Sequence, residues 1–365
     1  MTNNKANYYL PSEWHRQVAV QLTWPHVATD WAPYLDDIVR MEIEMAKQIT
    51  LRQKLIVATP YKEDVESLLC SQLSEGQMNN VKVYSVESND TWARDHAAIT
   101  LLSKEKEAPV QLLFRFNGWG EKFDSNKDNM ISAHLLEQNA FQDFYDTDVV
   151  AEDHDDFILE GGAIESDGKG TVFTTSFCLL APHRNQPLTR EQIEAQLIDR
   201  LHADRVVWID YGQLIGDDTD GHIDTIVRPA PDDTLLYVKC YDESDEQYAD
   251  FCAMEEQLKT FRTKEGKPYR LLPLPMARPM YDDGETLSND PFDGAERLPA
   301  TYANFLIIND AVLVPTYGQP ELDRQALETI QLAFPNREVV GIDAQVAVRQ
   351  HGSLHCLTMQ FPENR

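Results

Sequence analysis

The sequence predicts an α/β protein made of a repeated helix–strand–loop–strand unit whose copies surround a common axis. Three observations carry this expectation. Apolar residues at helical spacing lead into short β-branched runs, that succession occurs three times, and the polar residues ending the runs recur at near-regular intervals.

The first copy is "KEDVESLLCSQL" followed by "VKVYSVESNDTWARDHAAI", the second "TREQIEAQLIDRLH" followed by "RVVWIDYGQLIGDDTDGHIDTIV". The third is "ELDRQALETIQLAF" followed by "EVVGIDAQVAVRQHGSLHCLTM". Each opens with an amphipathic helix; in the second, Ile193, Leu197 and Leu201 recur at every fourth position and share one face. Thr189, ahead of Glu191 and Gln192, supplies an N-terminal cap. A β-branched strand follows, then a polar loop, then a second strand. The last two copies align without a gap: Val207 with Val340, Ile209 with Ile342, Asp210 with Asp343 and His222 with His355, each pair 133 residues apart (355 − 222). Trp24, Trp92, Glu160 and His222 follow one another at intervals of 68, 68 and 62 residues. Units set about an axis bring their loop ends together, so polar residues at equivalent points become neighbours in space.

Composition narrows the class. With 365 residues, 42% of them apolar, and no Ser/Gly linker or low-complexity tract, residues 1–365 are expected to form a single domain. The formal charge of −29 (32 − 61) opposes a nucleic-acid partner and permits a cationic ligand. No signal peptide and no membrane-length apolar run is visible, and the five scattered cysteines form neither a disulfide framework nor a zinc pattern. The expectation is a cytoplasmic protein with no metal and no membrane partner.

The loop ends carry the chemistry. "NDTWARDHAAI" brings Asp90, Trp92, Arg94 and Asp95; "FILEGGAIESDGKGT" brings Glu160 before Gly161-Gly162; "GDDTDGHIDT" brings His222 and Asp224; "HGSLHC" brings Cys356. A thiol, an imidazole and three carboxylates suit nucleophilic attack on a cationic carbon. A guanidinium carbon is a poor electrophile and must be held rigidly, which carboxylates do by accepting paired N–H bonds. On a strand, His222 and Asp224 would share a face, one moving protons while the other grips substrate. Glu160 would orient the imidazole, and a nearby cationic charge would favour the thiolate. Blander readings apply to Cys178 in "TVFTTSFCLLA" (a core strand residue), to "SDGKGT" (a hairpin turn) and to "EDHDDF" (a solvated loop rather than a metal site).

Taken together, "NDTWARD", "FNGWG", "LEGGAIESDGKGT", "CLLAPHRNQPLTREQIE", "DDTDGHIDT", "PATYANFLIINDAVLVPTYGQP" and "HGSLHC" resemble the agmatine deiminase family. This is the group of Porphyromonas-type peptidyl-arginine deiminases in the guanidine-modifying (pentein) superfamily. The resemblance covers nearly the whole chain in order. It implies a five-bladed α/β propeller of ββαβ repeats (the pentein fold). It also implies hydrolysis of agmatine to N-carbamoylputrescine and ammonia through a covalent amidino-thioether, with no cofactor, in putrescine and polyamine metabolism. By motif, Cys356 is the nucleophile and His222 the general acid/base. Asp95 and Asp224 clasp the guanidinium and Glu160 supports His222. Trp92, Trp119, Asp218 and Asp220 are candidates for the substrate's stem and far amine. A homo-oligomer is compatible with the sequence.

The chain departs from the family's commonest pattern in two places. "WxRDTGP" is replaced by Arg94-Asp95-His96-Ala97-Ala98, and the glycine run before "NIHC" by Gln350-His351-Gly352-Ser353-Leu354. Both touch the pocket rim, so substrate identity is less determined than chemistry. A peptidyl-arginine deiminase would use the same residues. An amidinotransferase would admit an amine where water enters, and an inactive propeller scaffold would have lost one of the five.

Overall fold

The computed structural model describes residues 7–145, 147–292 and 295–364. Strands are numbered along the chain: β1 (Tyr8–Tyr9), β2 (Gln17–Thr23), β3 (Lys54–Thr59), β4 (Val81–Ser85), β5 (Ile99–Ser103), β6 (Val110–Arg115), β7 (Val150–Ile158), β8 (Ile164–Ser166), β9 (Thr171–Thr175) and β10 (Arg205–Ile209). They continue with β11 (Val227–Ala230), β12 (Thr234–Lys239), β13 (Arg270–Pro275), β14 (Tyr281–Asp282), β15 (Leu287–Ser288), β16 (Leu306–Ile308), β17 (Ala311–Thr316), β18 (Glu338–Asp343) and β19 (Thr358–Pro362).

Five sheets repeat one plan, in which a first strand pairs antiparallel with a second and the second pairs parallel with a third. Four of them are β5-β6-β7, β8-β9-β10, β11-β12-β13 and β16-β17-β18. The fifth sheet, β19-β2-β3-β4, takes its first strand from the C-terminal end of the chain and carries an extra parallel strand. Helices make the parallel crossovers, including Leu35–Thr50, Arg190–Arg200, Tyr248–Thr260 and Pro320–Ala333. The second strands are covered on both sides, and "KLIVAT" of the neighbouring β3 is buried along nearly its whole length, as a parallel strand must be.

The first strands form a ring. β19 packs on β5, and β8 packs on β11. Arg228 of β11 donates to the carbonyls of Ala303 and Phe305 beside β16, and Gln360 of β19 donates to the carbonyl of Ile307 in β16. Residues of β5 and β8 together line an axial cavity of about 80 Å³. The result is a five-bladed α/β propeller.

This plan places every crossover between blades at the same end. Each parallel strand delivers the chain to the top of the next blade's first strand. The five connections, 86–98, 159–163, 210–226, 276–305 and 344–357, therefore meet over the axis at the carboxyl ends of the parallel strands, where open α/β sheets bind ligands. The repeat read from the sequence is real but straddles two blades: its helix and first strand close one blade, and its second strand opens the next. The capping box at Thr189 and Gln192 is present.

Four readings need correction. Trp24 follows β2, a second strand ahead of a helix, so its interval to Trp92 has no structural meaning. His222 and Asp224 are not on a strand; His222 caps a single 3-10 turn, Ile223–Thr225, that precedes β11. "EDHDDF" is not a loop but the body of β7, drawn into extension by pairing with β6. Cys178 lies in the one-turn helix Ser176–Leu179, not in a strand, because Thr175 caps a turn there. "SDGKGT" is the expected hairpin connection between β8 and β9. Among the described residues, no helix is long and apolar enough to cross a membrane.

Candidate active site

The five crossovers deliver the candidate residues to one place. The first brings Trp92 and Asp95, on the one-turn helix Ala93–His96; the second brings Glu160 and Gly162; the third brings His222 and Asp224. The fourth brings Asn304 and the fifth Cys356. A backbone bond from Arg94 N to the Cys356 carbonyl (3.1 Å) ties the first crossover to the last.

Cys356 Sγ lies 3.7 Å from Asp224 Oδ2 and accepts a hydrogen bond from Asn304 Nδ2 (3.2 Å). Burial first, and then the charges of Asp224 and Asp95, hold its thiol well above the usual range. A cation arriving between those carboxylates would oppose the second effect and favour the thiolate. Asp95 is fixed through both oxygens, with Oδ1 accepting from Gly162 N (3.0 Å) and Oδ2 from Trp119 Nε1 (2.9 Å). Burial pushes its carboxyl up to about 6. For Asp224, burial acts upward, but the His355 bond and the charges of His355, His222 and Arg228 bring it below the ordinary carboxylate value.

His222 stands between two carboxylates, Nδ1 at 3.7 Å from Asp95 Oδ1 and Nε2 at 3.9 Å from Glu160 Oε2. Burial opposes its protonation, but Asp95, Cys178 and Glu160 raise its pKa well above that of a free histidine. Both ring nitrogens and Asp224 Oδ1 are buried without a hydrogen-bond partner. Buried polar atoms are rarely left unpaired, so these three mark a place able to take a ligand's polar groups or a water. Glu160 is held from behind by Arg184, whose Nε donates to Oε1 (2.8 Å), and by the Cys178 thiol at 3.8 Å from Oε2. Glu160, Cys178 and His222 could together offer ligands to a metal, but Arg184 already provides the cation Glu160 needs.

Above this floor is a cavity of about 270 Å³ with Cys356 at its base. Trp92, Trp119 and Phe123 wall it, and Asp30, Asp90, Asp95 and Asp218 supply its charge; no Lys or Arg is among its described lining residues. Trp119 reaches Asp95 because "NGWG" takes a left-handed path, with Gly118 at φ 67°, Trp119 at 56° and Gly120 at 85°. Gly352 leaves room for the Trp92 ring, which a Cβ there would meet at 2.2 Å. The structure thus brings Cys356, His222, Glu160, Asp224, Asp95, Trp92, Trp119 and Asp218 together. Asp220 is separate: it pairs with Lys122 and Arg184 and lines no part of the cavity.

Sequence reasoning passed over Asn304, Arg184, Gly162 and His355. Asn304 was legible as a lone amide inside the apolar "YANFLII", where a buried polar side chain needs a reason. Arg184, in the loop ahead of the helix that joins β9 to β10 within one blade, gave no local signal.

A thiol under an acidic, cation-sized pocket on a five-bladed α/β propeller defines a guanidine-modifying protein of the pentein type. The chain belongs to the Porphyromonas-type peptidyl-arginine deiminase family, whose profile matches residues 9–362. A Porphyromonas gingivalis structure provisionally described as an arginine deiminase is 46% identical, with a TM-score of 0.87 and coverage of 98% of this chain and 99% of that one. The agmatine deiminase of C. jejuni, solved as a cysteine-to-serine variant with substrate bound, is 34% identical with a TM-score of 0.84, covering 98% and 97%. A Legionella pneumophila (strain Paris) protein provisionally named an agmatine deiminase is 30% identical over 361 residues, 98% of this chain and 96% of its own.

The Asp95 pKa gives a pH prediction. If Asp95 clasps a guanidinium it does so ionised, and a carboxyl raised to about 6 is protonated below that value. We expect kcat/KM to fall as pH drops through about 6, where Asp95 and Asp90 both take up protons, with Asp95→Asn removing most activity at every pH. A profile flat from pH 7 to 5 would remove Asp95 from the clasp.

Proposed function

We propose that this chain is an agmatine deiminase, one catalytic domain that hydrolyses agmatine to N-carbamoylputrescine and ammonia through a thioether on Cys356. The observation that carries the reading is the pocket: Cys356 in its lining, four carboxylates (Asp30, Asp90, Asp95 and Asp218), aromatic walls, and no Lys or Arg among its described lining residues. A diamine-like cation satisfies both ends. Free arginine would place its carboxylate against Asp30, Asp90 and Asp218.

Guanidinium docking between Asp95 and Asp224 stabilises the Cys356 thiolate, and the thiol proton leaves to solvent. Sγ attacks the guanidinium carbon, forming the C–S bond. The His222 imidazolium protonates one amino group, the C–N bond breaks and ammonia departs. Neutral His222 then takes a proton from water as it adds to the amidino carbon. Collapse breaks the C–S bond, returns the thiolate and leaves the ureido product, whose extra proton passes to ammonia. Glu160, braced by Arg184, favours the imidazolium that the first half needs.

Asp90 is our candidate for the far amine. Burial, with the nearby charge of Asp30, pushes its carboxyl up to about 6, a cost that an ammonium group would relieve. Asp90→Asn is expected to raise KM for agmatine by roughly tenfold or more, the scale of a lost charge-assisted bond, while leaving turnover of an N-alkylguanidine without the amine unchanged. Equal effects on both substrates would place the far amine elsewhere.

The deciding experiment measures ammonia release from agmatine, free arginine and a blocked arginine peptide in parallel. Turnover of agmatine alone supports the proposal. Turnover of the peptide would favour a peptidyl-arginine deiminase, the reading suggested by the family's description. Silence on all three would overturn both.

A further inference from the structure

Asp224 is held asymmetrically. Its Oδ2 meets His355 Nδ1 at 2.7 Å, accepts from Asn304 Nδ2 at 3.2 Å and lies 3.7 Å from the Cys356 sulfur, while its Oδ1 is buried with no partner. Of these contacts, that with His355 is the shortest and comes from the rigid side. The His355 backbone N–H donates to Asn304 Oδ1 (3.0 Å), and its ring is fully buried. On the ring's far edge, Nε2 lies 2.8 Å and 3.0 Å from the two oxygens of Glu13.

Glu13 belongs to the segment between β1 and β2, far from the site in sequence, and reaches it along the axis. It also accepts from Arg94 Nη1 (3.0 Å) and Arg228 Nη2 (2.5 Å), so guanidinium groups of two blades fix its position. Burial acts against its charge, but His355, Arg94 and Arg228 keep its carboxyl well below the usual value. The row Glu13–His355–Asp224 therefore joins the lining of the axial cavity to the site floor.

We infer that His355, braced by Glu13, is a positioning residue for the proposed reaction: it anchors Oδ2 of Asp224 so that the free Oδ1 faces the substrate guanidinium. The inference rests on the guanidinium reading of the site and adds two residues to it, neither of which lines the substrate pocket. If the carboxylate lost this anchor it would rotate about its terminal bond, which has a broad torsional well, and Oδ1 would swing from the guanidinium. Binding would suffer before chemistry.

The test uses the different reach of two amides. In His355→Asn the side-chain nitrogen falls near the position of Nδ1 and keeps the Asp224 bond; in His355→Gln it falls near Nε2 and keeps only the Glu13 bond. We expect His355→Gln and His355→Ala to raise KM by about tenfold or more, with kcat reduced less, and His355→Asn to stay within roughly threefold of wild type. Glu13→Ala should resemble His355→Ala, and Glu13→Gln, which preserves an acceptor for the ring, should recover most of that loss. Protection of Cys356 from iodoacetamide by guanidinium chloride reads the clasp without turnover. Protection should weaken in His355→Gln and persist in His355→Asn, even if no substrate offered is turned over. Equal damage in His355→Asn and His355→Gln, or undiminished protection in His355→Ala, would overturn the inference.

Discussion

Cys356→Ala is expected to lose all measurable ammonia release, a fall of at least about 10⁴-fold, while the protein remains folded. The thiol makes the only covalent bond the proposed reaction needs, and no other cysteine can replace it. Cys178 is the nearest alternative in chemistry, but it is fully buried behind Glu160, where burial and the Glu160 charge raise its thiol pKa. Stability should change little, because the substitution removes one sulfur from a site whose surroundings are held by backbone bonds. Asn304 Oδ1 accepts from the Cys356 amide, and Arg94 N donates to its carbonyl. Ammonia release is the measurement, with circular dichroism and thermal midpoint as folding controls. Mass spectrometry on wild type quenched during turnover should show the amidino adduct on Cys356, absent from the variant. Activity retained in Cys356→Ala would sink the covalent mechanism.

Gly162→Ala is expected to be the next most damaging, by roughly 10²-fold, although it removes no functional group. A Cβ on Gly162 would lie 2.6 Å from His222 Nδ1, 2.9 Å from Asp95 Oδ1 and 3.2 Å from Asp224 Oδ2. A methyl group there wedges the imidazole away from Asp95 and Asp224, in the space that the proposed reaction gives to the guanidinium and leaving ammonia. The residue's φ is not in the left-handed region, so backbone strain is not the cause, and the atoms displaced are side chains rather than backbone. The thermal midpoint should therefore drop only modestly while kcat/KM collapses. Near-normal turnover would mean that the three groups do not act as a unit. The neighbouring Gly161 is a different case: its Cβ would meet the Arg94 carbonyl at 2.1 Å, so Gly161→Ala should damage the fold.

The two predictions also mark where sequence reasoning stopped. Cys356 was visible because a lone late thiol, next to the His355 that the repeat aligns with His222, asked for partners that the other copies supplied. Asp224 was visible for the same reason, though its stated geometry was wrong. A single helical turn positions His222 and Asp224, and period-two alternation does not apply there. Gly162 was seen only as a glycine that follows Glu160. That it leaves room for three catalytic candidates depends on how closely three separate crossovers approach one another, which no local pattern encodes.

Sequence alone determined the α/β class, the repeated unit, the acidic character and the residues proposed to attack and clasp a guanidinium. Each is a property of local spacing or of residue chemistry, and both survive translation from chain to fold. Tertiary structure decided the rest. It closed the first blade with the last strand, brought Glu13 along the axis to His355, placed Arg184 behind Glu160 and turned Asp220 from the pocket to a salt bridge. These depend on which blade meets which, because contacts between distant segments arise from packing the whole ring. A side chain's partner there is set by a neighbour's backbone rather than by its own sequence context.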